Sequence, residues 1–336
     1  AYGQAMLALD RRYLAAVERI DPASLDGQDR LTWEIFVRER KRGIEGARFP
    51  SRLLPVHQQY SLPLLLAILG GGGSAQPFAT PSDHARWLAR AAEAPAAIDS
   101  IIGAMREGIA RGVTQPRAVM ENVVGQLDDL ISEDPEQSIF FGPVRGLPEE
   151  MPAGEREALA ARYRALIGDQ LNPAFAKLRD FVRDEYLPAC RDTVGWSALP
   201  DGAAWYDFEV VGSTTATMSA EEIHALGLVE VARIRGEMER VMRQVGFKGD
   251  LAGFFRWVQE EPSFYYDDPQ ALIAGYQDIK RRVDAALPRL FSDFPKADYE
   301  VRPVEPFRAK SAAGASYLSP APDGSRPGIF YVNTYN

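Results

Sequence analysis

Three histidines, His57, His84 and His224, are the only imidazoles among the 336 residues. A His-Glu-x-x-His zinc helix needs two histidines four apart on one helical face, and no pair here has that spacing. Glu222 and His224 point to different faces, while Glu221 and His224 share one, but an acid and one imidazole do not make a metal site. An exposed first helical turn is the expectation there. His57 and His84 stand alone beside loop and cap residues, which suits ordinary surface or hydrogen-bonding roles. The run Gly70–Gly73 lacks the Gly-Lys-Ser/Thr of a phosphate loop, and no Gly-x-Ser-x-Gly elbow supports a hydrolase serine. Asp128–Asp129 and Asp267–Asp268 are adjacent pairs whose side chains diverge on a helix, so solvated charge is their reading. Cys190 carries no signature of a nucleophile.

One constellation is richer. The segment Gly328-Ile329-Phe330-Tyr331-Val332-Asn333-Thr334 alternates as a strand does, with Tyr331, Asn333 and Tyr335 on one side and Tyr317 on the strand before. Two readings stay open. Such a strand edge can pair with an extended peptide through backbone hydrogen bonds, or its polar face can simply meet water.

These residues need elements to position them. Helical sequence is predicted at about 5–19, 28–45, 82–109, 115–131 and 154–186, with Pro173 breaking or kinking the last. Residues 50–81 read as a loop-rich insertion around one short apolar segment, and 134–152, with four prolines, as irregular. Ser219 and Glu222 form a capping box, after which Val231, Ile234, Met238, Val241 and Val245 step by three and four. Leu272, Tyr276, Ile279, Val283 and Leu287 mark a helix over 269–287. Residues 299–304, 315–318 and 328–334 read as strands, with Pro322-Asp323-Gly324 as a turn. The fold class is therefore mainly α, a multi-helical body leading into a small β-sheet near the C-terminus. The expected domains are a helical region 1–198 with Pro/Gly-rich insertions, a helical region 199–298, and the strands of an incomplete sheet at 299–336. The sheet region ends at Asn336 with no closing element, so a partner segment is expected to continue it.

Composition narrows the classes. Acidic residues outnumber basic ones by 47 to 38, giving a net charge of −9. That balance repels nucleic acid and anionic membrane surfaces, so no nucleic-acid partner is expected. The longest apolar run, Leu62–Leu69, falls short of the ~20 residues of a spanning helix. One cysteine excludes an intrachain disulfide and a cysteine-rich zinc site. The compartment stays open: an upstream signal, if removed, would place the chain in the cell envelope or periplasm, and cytoplasm is equally compatible.

A resemblance adds to this. Leu199-Pro200-Asp201-Gly202, Trp205-Tyr206, Thr214-Thr215, Met218-Ser219-Ala220-Glu221-Glu222-Ile223-His224, Leu226-Gly227-Leu228, Leu287-Pro288, Leu290-Phe291 and Asp323–Thr334 occur in order. Over about 195–336 they resemble the bacterial family catalogued as domain of unknown function 885, while 1–194 match only in helical character. The resemblance implies a gluzincin-like zinc metallopeptidase, of which this chain would be the front part. It implies zinc in the intact protein, held by a His-Glu-Ala-x-Pro-Gly-His-His helix outside this chain, with no metal bound by the chain alone. It also implies a peptide or peptide-like substrate and a C-terminal segment of the same protein as partner. No catalytic residue lies within the chain on this reading. Tyr331, Asn333 and Thr334 match the substrate-aligning strand, Arg326 and Tyr317 match positions near the cleft, and Tyr317 or Tyr331 would donate to an oxyanion. The alternative is a non-catalytic helical scaffold or binding module. Glycoside hydrolysis ranks third, since no carboxylate pair can be nominated.

Overall fold

The computed structural model describes residues 2–310 and 312–335; Ala1, Ser311 and Asn336, where the expected sheet region ends, lie outside them. The described chain is mostly helical and carries one three-stranded sheet near its C-terminal end, the mainly α class that the sequence predicts. It divides into two compact units, neither a continuous stretch of chain. Residues 1–55, 104–116 and 191–232 form the first, and 56–103, 117–190 and 233–336 the second.

In the first unit α1 (Tyr2–Val17) lies against α2 (Gly27–Gly46). Arg40 reaches Asp10 at 2.9 Å, and the Trp33 indole donates to the Val17 carbonyl at 3.1 Å. The core beyond them gathers Phe49, Leu53, Val113, Leu199 and Trp205. Trp205 stacks on Phe49 at 5.5 Å and meets the edge of Trp196 at 4.7 Å. It sits on α11 (Gly202–Thr214), a helix whose two caps, Asp201 and Thr215, are both left-handed, at φ 53° and 57°. Aspartate tolerates that region, whereas a β-branched threonine is strained there. At Gly202 any Cβ would run into the Trp196 carbonyl.

The second unit holds α3 (Leu62–Gly70), α4 (Pro81–Ala91), α6 (Arg117–Asp128), α7 (Gly142–Arg145), α8 (Ala153–Leu166), α9 (Asn172–Phe181) and α10 (Leu187–Ala189). The expected single stretch 82–109 is two helices, since α4 ends at Ala91 and Pro95 lies in the first turn of α5 (Ala94–Ala110). Within the loop-rich insertion α3 forms, started by Ser61 accepting from the Leu64 amide at 3.4 Å. The irregular segment contains α7, which a four-proline sequence hides. Pro173 does not break its helix: a π-turn over Ile167–Leu171 precedes it, and a second over Val182–Tyr186 precedes Pro188. The wider i→i+5 turn carries the chain past a residue without an amide hydrogen. Gly70 ends α3 where a Cβ would strike the Trp87 ring and come within 2.9 Å of Phe140. Close packing, rather than looseness, explains that first glycine of the run.

Further along the chain come α12 (Ala220–Gln244), α13 (Leu251–Glu260) and α14 (Pro269–Ala286). The capping box forms as predicted, Ser219 N donating to Glu222 at 2.8 Å and Glu222 N to Ser219 Oγ at 3.2 Å. The stripe that follows is helical as its spacing predicts, yet its side chains stay exposed, and on α12 only Met242 is buried. Phe247, Phe254 and Trp257 make a small aromatic cluster beyond it.

His84 is buried in the second unit, with Nδ1 2.9 Å from the Tyr163 hydroxyl and its ring 5.3 Å from Phe78. It is thus a core hydrogen-bonding histidine and not a surface one. Burial pushes its pKa below the ordinary 6.5, against smaller upward pulls from the Phe78 backbone and the Asp83 carboxylate. A depressed histidine favours the folded state above the unfolded pKa, and that advantage is lost as pH falls, because the unfolded chain takes the proton first. Stability should therefore drop as pH falls below about 6.5. His84→Gln, which keeps a bonding group beside Tyr163 but does not titrate, should flatten that part of a denaturant-midpoint-versus-pH curve. An unchanged slope would remove His84 from the acid sensitivity.

Candidate functional site

The sheet is built from β1 (Tyr299–Pro303), β2 (Ala315–Leu318) and β3 (Gly328–Val332) in the order β1-β3-β2. β1 runs parallel to β3, and β2 antiparallel to it. The candidate strand is therefore the centre of the sheet. It offers no free edge, and the expectation that it could itself pair with a peptide is corrected by this order. Its apolar side chains are not left unpaired either. Phe330 lies 5.7 Å from Tyr276 of α14, while Ile329 and Tyr331 pack with Val304 and Ala309 on the other face.

The register separates the two tyrosines. Tyr317 pairs with Phe330 and Ser316 with Tyr331, so Tyr317 and Tyr331 project from opposite faces. Tyr331 is only 5% exposed, with the Arg308 guanidinium 4.8 Å from its ring centre. Burial, then the Glu305 carboxylate, pushes its phenol pKa up. Tyr317 is 54% exposed; its ring crosses Gly328, where no Cβ would fit, and meets Tyr299 edge-on at 6.1 Å. The two hydroxyls do not converge on one point.

Asn333 and Arg326 are engaged inside the fold. The Asn333 amide donates to the Ala309 and Ala312 carbonyls at 2.7 and 3.1 Å, and its oxygen accepts from the Tyr335 amide at 3.0 Å. It thereby ties α15 (Pro306–Ala309) and the segment after it to the end of β3. Arg326 donates to its neighbour Pro327 and to Ser319, at 2.7 and 2.6 Å, closing the β2–β3 turn in which Gly324 takes φ 76°. Thr334 lines a cleft of about 490 Å³ with Gln270, Ile273, Gln277 and Pro303. No charged side chain lines that cleft, so its chemistry is apolar contact with neutral amide and hydroxyl groups.

Two outer edges remain, and they differ. β1 presents Glu300 and Arg302, paired through their side chains, and ends in Pro303. Charges and proline blunt an edge against added strands. β2 is Ala-Ser-Tyr-Leu, without charge or proline, and its first three residues are exposed. The Asn333 backbone N–H donates to the Gly314 carbonyl at 2.8 Å. By antiparallel alternation Gly314, Ser316 and Leu318 face β3, leaving the backbone groups of Ala315 and Tyr317 on the open side. The outer edge of β2 was missed in the sequence, although the contrast between Glu300-Val301-Arg302-Pro303 and Ala315-Ser316-Tyr317-Leu318 was legible.

The first unit has its own cavity, a groove of about 720 Å³ between α2 and α11 floored by Trp33, Val37, Phe208 and Val211. Its basic rim is already paired. Arg42 reaches Glu209 at 2.7 Å and lies 4.7 Å from the Phe208 ring centre, across Gly212, while Lys41 reaches Glu18 at 3.0 Å. The strained Thr215 stands at one end.

The remaining histidines are placed simply. His57 Nδ1 accepts from the Gln59 and Tyr60 amides, both at 3.2 Å, and His224 is exposed on the first turn of α12. Cys190 is buried. Among the described residues no three His, Cys, Asp or Glu side chains come together to hold a metal ion. The described residues by themselves do not supply the ligands of a zinc centre. Also among them, no helix is long and apolar enough to cross a membrane.

Because two carbonyls depend on its amide, Asn333→Ala should destabilise the protein by about 1–3 kcal/mol. Proteolytic cleavage within 306–314 should accelerate with it. A wild-type denaturant midpoint in the variant would show that the clip carries no stability.

The family described as "Bacterial protein of unknown function (DUF885)" matches residues 1–336. The match thus includes residues 1–194, wider than the expected 195–336. A solved structure described as a "putative lipoprotein" from Colwellia psychrerythraea is similar in fold, with a TM-score of 0.84 and 21% identity. The similarity covers 99% of this chain and 59% of that one, so the chain spans about three fifths of the neighbour's length. No curated protein matches the sequence. With a family match over its full length, the chain belongs to the bacterial DUF885 family, whose function is unknown.

Proposed function

We propose that these residues form the substrate-side part of a hydrolase acting on peptides or peptide-like amides, with zinc ligands lying outside 1–336. The observation that carries this reading is the unguarded outer edge of β2. An extended peptide is a strand without a sheet, and a sheet edge binds it through main-chain hydrogen bonds whatever its side chains. Ala315 and Tyr317 offer those groups, while the Tyr317 ring reaches back over Gly328 toward Tyr299. Thr334, Asn333 and Arg326 act indirectly here: the first lines the neutral cleft, the second ties α15 to the end of β3, and the third closes the β2–β3 turn. The zinc itself is an implication of the family resemblance, and the site it needs has to be supplied by residues beyond those described.

The test is made on the natural-length polypeptide. About one zinc per chain by elemental analysis, with peptide cleavage abolished by chelation and restored by zinc, is the expected result. Zinc-free protein without peptide cleavage would sink the hydrolase reading. It would favour a helical binding module instead, for which the apolar α2–α11 groove is the specific support.

The edge is tested separately. Ala315→Pro removes an outward-facing amide without breaking a bond to β3, a change that edge strands tolerate. It should lower peptide cleavage about tenfold or more, as loss of a main-chain bond and its neighbours would, while leaving the melting temperature near wild type. Unaltered kinetics would exclude the β2 edge as the docking line.

A further inference from the structure

Ile234, Met238, Val241 and Val245 step along one face of α12 and the residue after it, and they are 39% to 56% exposed. Their neighbour Met242, a quarter-turn around the helix, is buried. Among the described residues the four stay exposed. Four apolar side chains in file on a well-formed helix are more than scattered surface exposure, which needs no explanation.

The spacing and the flanks say what fits. Alternating steps of four and three make a seam into which the knobs of another α-helix insert. An extended peptide would want open backbone groups, which a helix lacks. A membrane surface would want a basic excess beside the apolar face. Here Arg235 pairs with Glu239 and Arg240 with Glu237, so the flanks are neutralised within the helix itself. The solved protein of similar fold carries about two fifths of its length outside the part matching this chain. A segment of the same polypeptide is held near the seam by its covalent connection, at an effective concentration that a separate partner does not reach.

We propose that the face Ile234–Met238–Val241–Val245 is an internal seam, covered by an amphipathic helix of the same polypeptide from outside residues 1–336. The occupant presents aliphatic residues at matching three-and-four spacing, and its association with α12 is unimolecular. This does not rest on the hydrolase reading, because a zinc-free protein would carry the same seam.

Cys190 is the only cysteine of the 336 residues and is buried, so a reporter thiol can be read against a low background. Ile234→Cys and Arg243→Cys, the second on the opposite side of α12, are made in the natural-length polypeptide and labelled with a maleimide. The thiol at 234 should react at least tenfold more slowly than that at 243, at every protein concentration. Equal rates would overturn the proposal. Protection that grows with concentration would overturn it in favour of a second copy of the chain. An intact mass showing no residues outside 1–336 would overturn it outright, whereas zinc content would leave it untouched.

Discussion

Everything at the candidate site follows from the hydrogen bonding of β3 on both sides. A strand paired with β1 on one flank and β2 on the other has no freedom of register, since a one-residue slip would exchange its faces. Phe330 would then leave Tyr276, and Tyr331 would leave Val304 and Ala309. The same double pairing moves the open edges outward, to strands of different composition. Lys280 of α14 holds the β1 side. It bonds Asp284 and Asp298 at 2.7 and 2.9 Å and lies 4.6 Å from the Tyr299 ring centre. Its hydrogen bond, with that from the Tyr299 amide, keeps the Asp298 carboxyl below its usual range. The Asp298 carbonyl, in turn, accepts from the Gly328 amide at 2.9 Å, where β3 begins. The guarded edge is thus anchored to a helix through its charges, and the unguarded one is left to the hairpin turn that Arg326 closes.

The helices were legible where side chains repeat on one face, and illegible where a helix depends on distant packing. α12 and α14 announced themselves by apolar steps of three and four. α11 did not, because Gly202, Gly212, Val210, Val211 and Thr214 are weak helix formers. It exists because Trp205 and Phe208 bury against Phe49, a residue remote in sequence. Periodicity also gave a face without giving its partner. The stripe of α12 reads like a core stripe, and only coordinates reveal that among the described residues it stays open.

The site was legible to the same depth. Alternation along 328–334 correctly put Tyr331 and Asn333 on one side, since that follows from the pleat alone. Strand order is a different kind of information. Whether β3 is an edge or a centre depends on where residues 299–303 return, and no spacing within 328–334 encodes it. The hydrogen bonds of Asn333 to Ala309 and Ala312 were hidden for the same reason. The motifs that carried the family resemblance turn out to have structural duties: Asp201 and Gly202 make a turn no bulkier pair could make, Trp205 fills a core, and Ser219 with Glu222 starts a helix. Backbone requirements of this kind identify a fold well and say little about chemistry.

That distinction bears on how far the described residues reach toward catalysis. Main-chain pairing at the β2 edge would hold a peptide equally well in its ground state and at the top of its barrier. Such uniform binding lowers the substrate concentration needed without speeding the bond-breaking step. Acceleration needs a group whose interaction strengthens as charge develops. The Tyr331 hydroxyl is enclosed on the inner face beneath Arg308, whereas that of Tyr317 is exposed above Gly328, on the opposite face. Geometry therefore favours Tyr317 over Tyr331 as the proposed oxyanion donor. Acceleration on this reading would therefore need a second group, supplied from outside the described residues, acting beside Tyr317.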